Sequence, residues 1–180
     1  MQIFLQTTPE DHRIARLAAF AIGLSVAEAV IPSPLPGIKP GLANIVTLLV
    51  LERFGLAAAV WVSLLRVVAG SLILGTFLSP SFVLSFTGAA ASLAALALAR
   101  HLPARWFGAV SLSIIAAFFH IAGQMAVVYL WLIPHAGIFY LAPIFAAAAL
   151  LFGTVNGLIS AKLLAGDEAV IPARTPLPQP

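Results

Sequence analysis

Long apolar runs follow one another along almost the whole chain, and this pattern constrains the fold more than any other feature. Each run is about 18–25 residues long, which is enough for a helix to cross a hydrocarbon core of about 30 Å. The composition agrees, because 62% of the residues are hydrophobic, 8% are charged and the mean hydropathy is +1.09. The sequence therefore predicts an all-α integral membrane protein.

Prolines, glycines and arginines divide the apolar sequence into six predicted membrane spans. These spans are 13–31, 40–54, 56–77, 81–99, 107–132 and 138–164. Residues 1–166 then form one six-helix transmembrane domain, and 167–180 form a short proline-rich cytoplasmic tail. The first run also resembles a signal peptide ending near Ala29, but cleavage is not expected because the run continues through Ile31.

The basic residues predict the orientation of the bundle. A cytoplasmic N-terminus leaves Lys39 as the one loop cation outside and places the other loop cations on or near the inner side. Those inner cations are Arg13, Arg16, Arg53, Arg100, Arg105, Lys162 and Arg174. We therefore expect a multi-pass protein of a bacterial inner membrane with both termini cytoplasmic. The high isoelectric point reflects this topology, so nucleic acid is not an expected partner.

Polar residues inside apolar spans are costly and need a partner or a purpose. Counting about 1.5 Å per residue along each helix places most of them in the outer half of the bundle. The predicted substrate-binding residues are Glu28, Lys39, Asn44, Arg66, His120 and Gln124. Asn156 falls in the inner third of the last span by the same count, so we interpret it as a packing residue. No metal site is predicted, since His120 and Glu28 alone are a weak signal.

A purely structural role is the alternative for these side chains. Glu28 would pair with Arg66, and His120 with Gln124, to fix the packing of the helices. That role does not explain why Lys39 and a proline-rich loop lie beside the polar cluster. A ligand site that opens outward accounts for both features.

The first span also carries small residues at every fourth position. Ala15, Ala19, Gly23 and Ala27 form a ladder that lets another helix approach closely. Glu28 falls on nearly the opposite side of the helix, at 100° per residue. One face is therefore predicted to dock a partner, while the other reaches the cavity.

Four segments of the chain resemble the Gx transporter family, which is also labelled heptaprenyl diphosphate synthase component I. They are EAVIPSPLPGIKPGLANIVTLLVL (28–51), SLLRVVAGSLILGTFLSPSFVLSFTGAAAS (63–92), FHIAGQM (119–125) and YLAPIFAAAALLFGTVNG (140–157). That family in turn resembles the substrate-binding S components of energy-coupling factor transporters. The resemblance implies six helices, an outward-opening pocket, and docking of a membrane T subunit on Ala15 and Ala19.

Two functions follow as hypotheses. The first is uptake of a small organic solute, vitamin-like, flavin-like or an isoprenoid precursor, with a T subunit and ATPases as partners and no cofactor. No catalysis is expected, because the chain lacks a phosphate-binding loop and the paired aspartate-rich motifs that hold magnesium diphosphate. The second is a non-catalytic membrane subunit of a prenyl diphosphate synthase.

Overall fold

The computed structural model describes residues 7–31, 41–103 and 107–168. These residues include five α-helices. The helices are α1 (Pro9–Val30), α2 (Ala43–Ile73), α3 (Pro80–Ala99), α4 (Ala109–Val127) and α5 (Ala142–Glu168). A π-helical turn, Val128–Leu132, continues α4, and a 3-10 segment, Ala136–Leu141, precedes α5.

The prediction of an all-helical membrane protein is confirmed at this level. Within the described ranges, four helical stretches are long and apolar enough to cross a membrane. They are Ala43–Ile73, Pro80–Ala99, Ala109–Leu132 and Ala136–Gly166. The first predicted span is not among the four, since α1 carries Arg13, Arg16 and Glu28 around its apolar part.

The predicted count of six helices is not supported. The second and third predicted spans belong to one helical element, α2, and no loop separates them. Gly55 interrupts this element with φ 83° and ψ −178°, a backbone conformation that favours glycine. Asn44 and Gly70 nevertheless line one cavity, although a straight helix would hold them about 39 Å apart. The chain therefore folds back at Gly55, and α2 consists of two arms.

Helix α2 occupies the centre of the bundle. It contacts each of the other four helices, and α3, α4 and α5 pack side by side in sequence order. The buried apolar core includes Val46, Leu48 and Val50 from the first arm and Val62 from the second. Many large apolar side chains on the outside of α4 and α5 are exposed, as expected for helices that face lipid.

Local signals set the helix starts. Thr8 caps α1 and accepts a hydrogen bond from the backbone N–H of Asp11, while the Asp11 carboxylate accepts from Thr8. These bonds from the Thr8 backbone and hydroxyl lower the pKa of the Asp11 carboxyl. Ser79 caps α3, whose first residue is Pro80. The described residues thus include capped starts for α1 and α3, whereas α2 has no side-chain cap of its own.

Candidate ligand-binding cavity

A cavity of about 210 Å³ lies between the helices of the described bundle. All five helices contribute side chains to its wall. Five of the six residues predicted to bind substrate line it, namely Glu28, Asn44, Arg66, His120 and Gln124. The sixth, Lys39, lies outside the described residues. The structure thus brings together side chains that are up to 96 positions apart, from residue 28 to residue 124.

Arg66 contributes a buried positive charge to this wall. Its side chain is only 7% exposed, and its Nε has no hydrogen-bond partner in the described part of the chain. Buried polar groups are normally paired, because an unpaired one loses its bonds to water without replacement. Arg66 therefore presents a donor that the described protein does not use.

Glu28 lines the cavity and also holds the start of α2. Its side chain is 5% exposed, and its Oε1 accepts a hydrogen bond of 2.5 Å from the backbone N–H of Leu42. Leu42 is the residue that precedes α2, so Glu28 supplies the carboxylate that this helix start lacks. Glu28 also attracts Arg66 electrostatically. The carboxylate is thus an anchor between α1 and α2, whatever else it contacts.

His120 and Gln124 interact along one face of α4, as their spacing predicts. The Nε2 atoms of the two side chains lie 3.2 Å apart. With the Gln124 amide donating to His120 Nε2, the ring is neutral and its proton is on Nδ1. His120 Nδ1 is buried and has no hydrogen-bond partner among the described residues. The cavity therefore has a second buried nitrogen without a partner in the described residues, and in this tautomer it is a donor.

Gly88 on α3 supports the His120 ring. A Cβ atom at this position would lie 2.8–3.0 Å from three ring atoms, so the ring lies flat against the glycine. Any larger side chain at position 88 would overlap the space that the ring occupies. Gly88 therefore fixes the plane of His120, although sequence reasoning did not identify it.

Asn156, interpreted from the sequence as a packing residue, lies at the wall of the cavity. It is 4% exposed, lines the cavity, and donates from Nδ2 to the carbonyl oxygen of Gly41 at 3.2 Å. The depth count failed because it placed the start of the second span at the membrane surface. The first arm of α2, 43–54, is only about 18 Å long, and its start lies beside the middle of α5.

Comparison with protein families was made on this chain as a whole. The model of heptaprenyl diphosphate synthase component I matches residues 17–163. The chain belongs to this family. The match confirms the family predicted from the four sequence segments, and its name designates one component of a synthase. No curated protein and no solved structure matches the chain significantly.

Hydroxyl groups form a part of the cavity that sequence reasoning missed. Ser25, Ser71, Thr76, Ser81 and Ser85 all line it. Ser81 and Ser85 lie four residues apart at the start of α3, which is a spacing that could have been read as one polar face. Large apolar side chains complete the wall, including Leu74, Phe82, Ile121 and Phe152.

A second cavity, of about 10 Å³, lies beside the first and has room for about one water molecule. Asn44 and Asn156 line both cavities. The Thr47 hydroxyl lines the smaller one and has no hydrogen-bond partner among the described residues. The asparagines therefore connect the main cavity to a small polar space.

The small-residue ladder lies on the outside of α1. Ala15, Ala19, Gly23 and Ala27 are exposed, and a Cβ added at Gly23 would meet no atom within 4 Å. Ala18, Ala21 and Glu28 are buried on the other side of the helix. The two faces are arranged as the sequence predicts, while the binding of a partner to this face stays a prediction.

Proposed function

We propose that this family member binds a small organic solute in the main cavity and takes part in its uptake across the membrane. The observation that carries the proposal is the pair of buried donors, Arg66 Nε and His120 Nδ1, without partners in the described protein. A cavity with a few unsatisfied polar groups in an apolar wall is typical of ligand sites. The acceptor atoms of a ligand would complete these hydrogen bonds.

The second candidate is a non-catalytic membrane subunit of a prenyl diphosphate synthase. The family name favours it. A cavity with apolar side chains inside a membrane protein also suits a lipid-soluble product. Neither proposal gives this chain a catalytic step. Prenyl transfer requires aspartate-rich motifs for magnesium diphosphate, and the sequence has Asp11 and Asp167 as its only aspartates.

We propose six membrane segments, counting α1 and the two arms of α2 separately. Six segments place both termini on one side, and the arginine distribution makes that side cytoplasmic. Single cysteines at positions 37 and 103 in intact cells test this orientation. An impermeant thiol reagent should label Gly37→Cys and leave Pro103→Cys unlabelled, and the reverse pattern would overturn the orientation.

We further propose that the outer face of α1 docks an energising subunit in the manner of energy-coupling factor S components. The exposed ladder supports this, because small side chains let two helix backbones approach closely. Gentle purification from native membranes separates the two functions. Recovery of a membrane T subunit and ATPases supports uptake, whereas recovery of a soluble aspartate-rich synthase supports the second candidate.

Binding itself is tested by mass spectrometry of small molecules retained by the purified protein. Asn44→Ala and Gln124→Ala should each weaken binding of the retained compound by about 1–3 kcal/mol, the cost of leaving a buried partner unsatisfied. Thr154→Ala is the matched control, since the Thr154 hydroxyl donates to Leu150 within α5 and does not line the cavity. A parent protein that neither retains a small molecule nor is stabilised by an added one contradicts the proposal.

A further inference from the structure

The two charged side chains of the main cavity differ in how far the protein satisfies them. Glu28 and Arg66 are the charged residues among the described lining side chains. The Glu28 carboxylate accepts from Leu42 and lies at the N-terminal end of α2, where the helix dipole favours a negative charge. Arg66 has no equivalent arrangement, because its Nε has no partner within the described chain. Arg66 therefore keeps a donor on a positively charged group available to a ligand, although Glu28 lies near enough to attract it.

The two unused donors belong to one region of the wall. Arg66 is on α2 and His120 is on α4, and both side chains line the main cavity. Arg66 Nε–H and His120 Nδ1–H are both buried. A ligand group that satisfies both needs at least two acceptor lone pairs on one small planar or compact head.

We infer that the main cavity recognises the carboxylate of a small, otherwise largely apolar monocarboxylate. The inference rests on the proposed function and names the substrate class of the same site. A carboxylate has two acceptor oxygens and one negative charge, and it forms strong charge-assisted bonds with a guanidinium group. Its apolar body would lie against Phe82, Ile121 and Phe152, with Ser81 and Ser85 near it.

Charge and size separate this class from a prenyl diphosphate. A diphosphate brings several negative charges, and buried charges are stable only when they are paired. The described lining offers one arginine to pair with them. The volume of about 210 Å³ is also below the roughly 300–1,000 Å³ of pockets for drug-sized ligands. A small head with a single charge fits both limits.

Paired probes test the head group on the full-length protein in detergent. Benzoate is compared with benzamide, and hexanoate with hexanamide, with inorganic pyrophosphate as the multiply charged probe. A ligand that binds the native state raises the unfolding temperature. The acids should raise it, and the amides should bind at least tenfold more weakly. Equal effects of acid and amide, or a stronger effect of pyrophosphate, would overturn the inference.

Substitutions of His120 test the donor atom. The side-chain amide nitrogen of asparagine lies about where Nδ1 of histidine lies, and that of glutamine lies near Nε2, because each is the same number of bonds from Cβ. His120→Asn should therefore keep most of the preference for acid over amide, and His120→Gln should lose it. Arg66→Gln should also abolish the preference. If the two His120 variants behave alike, Nδ1 is not the recognising atom and the inference is wrong.

The retained molecule distinguishes this inference from the function on which it rests. A retained small molecule without a carboxylate contradicts the inference and leaves the proposed function standing. A retained monocarboxylate, together with probes that bind better as acids than as amides, supports both. Absence of any retained molecule, together with no response to the probes, removes the proposed function and the inference with it.

Discussion

The main cavity and the outer face of α1 differ in how far the chain completes them. Five helices enclose the cavity, yet two of its buried donors have no partner in the described residues. The outer face of α1 exposes the small side chains of Ala15, Ala19, Gly23 and Ala27. An unpaired buried donor can be satisfied by the acceptor atom of a small ligand. A face of small apolar side chains instead suits close contact with another helix or with lipid. Substitutions should therefore act differently in the two regions.

The largest effect is expected at Glu28. Glu28→Ala removes the acceptor for the Leu42 N–H and leaves Arg66 without its nearby negative charge. The free energy of unfolding should therefore fall by about 3–5 kcal/mol. Glu28→Gln keeps an acceptor oxygen for the Leu42 N–H, so it should lower the free energy of unfolding by less. Chemical denaturation in detergent measures both variants. A Glu28→Ala protein as stable as the parent would show that the cavity wall does not depend on this anchor.

An intermediate effect is expected from adding one methyl group in each region. Gly88→Ala places a Cβ against the His120 ring and should destabilise the fold by about 1–3 kcal/mol, as overpacking does. Gly23→Ala meets open space on α1 and should stabilise by about 0.5–1 kcal/mol, since alanine favours helix over glycine. Thermal unfolding compares the two variants.

The origin of the Gly88 effect has its own control. His120→Ala removes the ring that the new methyl group would strike, so the double variant with Gly88→Ala should be more stable than the sum of the two single effects. Additive effects would show that Gly88 acts through something other than His120.

The smallest effect on stability is expected on the outer face of α1. Ala19→Leu lies on the exposed ladder and should change stability by less than about 0.5 kcal/mol while it weakens association with a docking subunit. Ala18→Leu, its buried neighbour, should cost about 1–3 kcal/mol. Unfolding and co-purification are measured for both. A strongly destabilised Ala19→Leu would mean that the ladder packs inside the protein.

Much of the arrangement followed from local patterns. Apolar run length predicted the helices, and a spacing of four residues predicted that His120 and Gln124 share a face. Helical periodicity also separated the α1 ladder from Glu28. These features depend on neighbours along the chain, so one sequence suffices to infer them.

Depth and partner choice did not follow from the same patterns. Asn156 was assigned to packing because counting from the ends of the spans assumes that every helix starts at the membrane surface. The first arm of α2 starts beside α5 instead, and there Asn156 meets Gly41. Glu28 was predicted to bind substrate, with pairing to Arg66 as the alternative, and nothing in the sequence indicated its hydrogen bond to Leu42. Such choices depend on which backbone groups come near in space.

The sequence by itself determined that this chain is helical, that it belongs in a membrane, and which polar side chains it places within its apolar helices. The length of an apolar run and the periodicity of a helix depend on neighbouring residues, so both can be inferred from the sequence alone. Only the tertiary structure decided that Arg66 and His120 would be left with unused donors around one cavity, and that Gly88 would support the His120 ring. Those outcomes depend on the fold-back at Gly55 and on close contact between α3 and α4, which bring distant residues together.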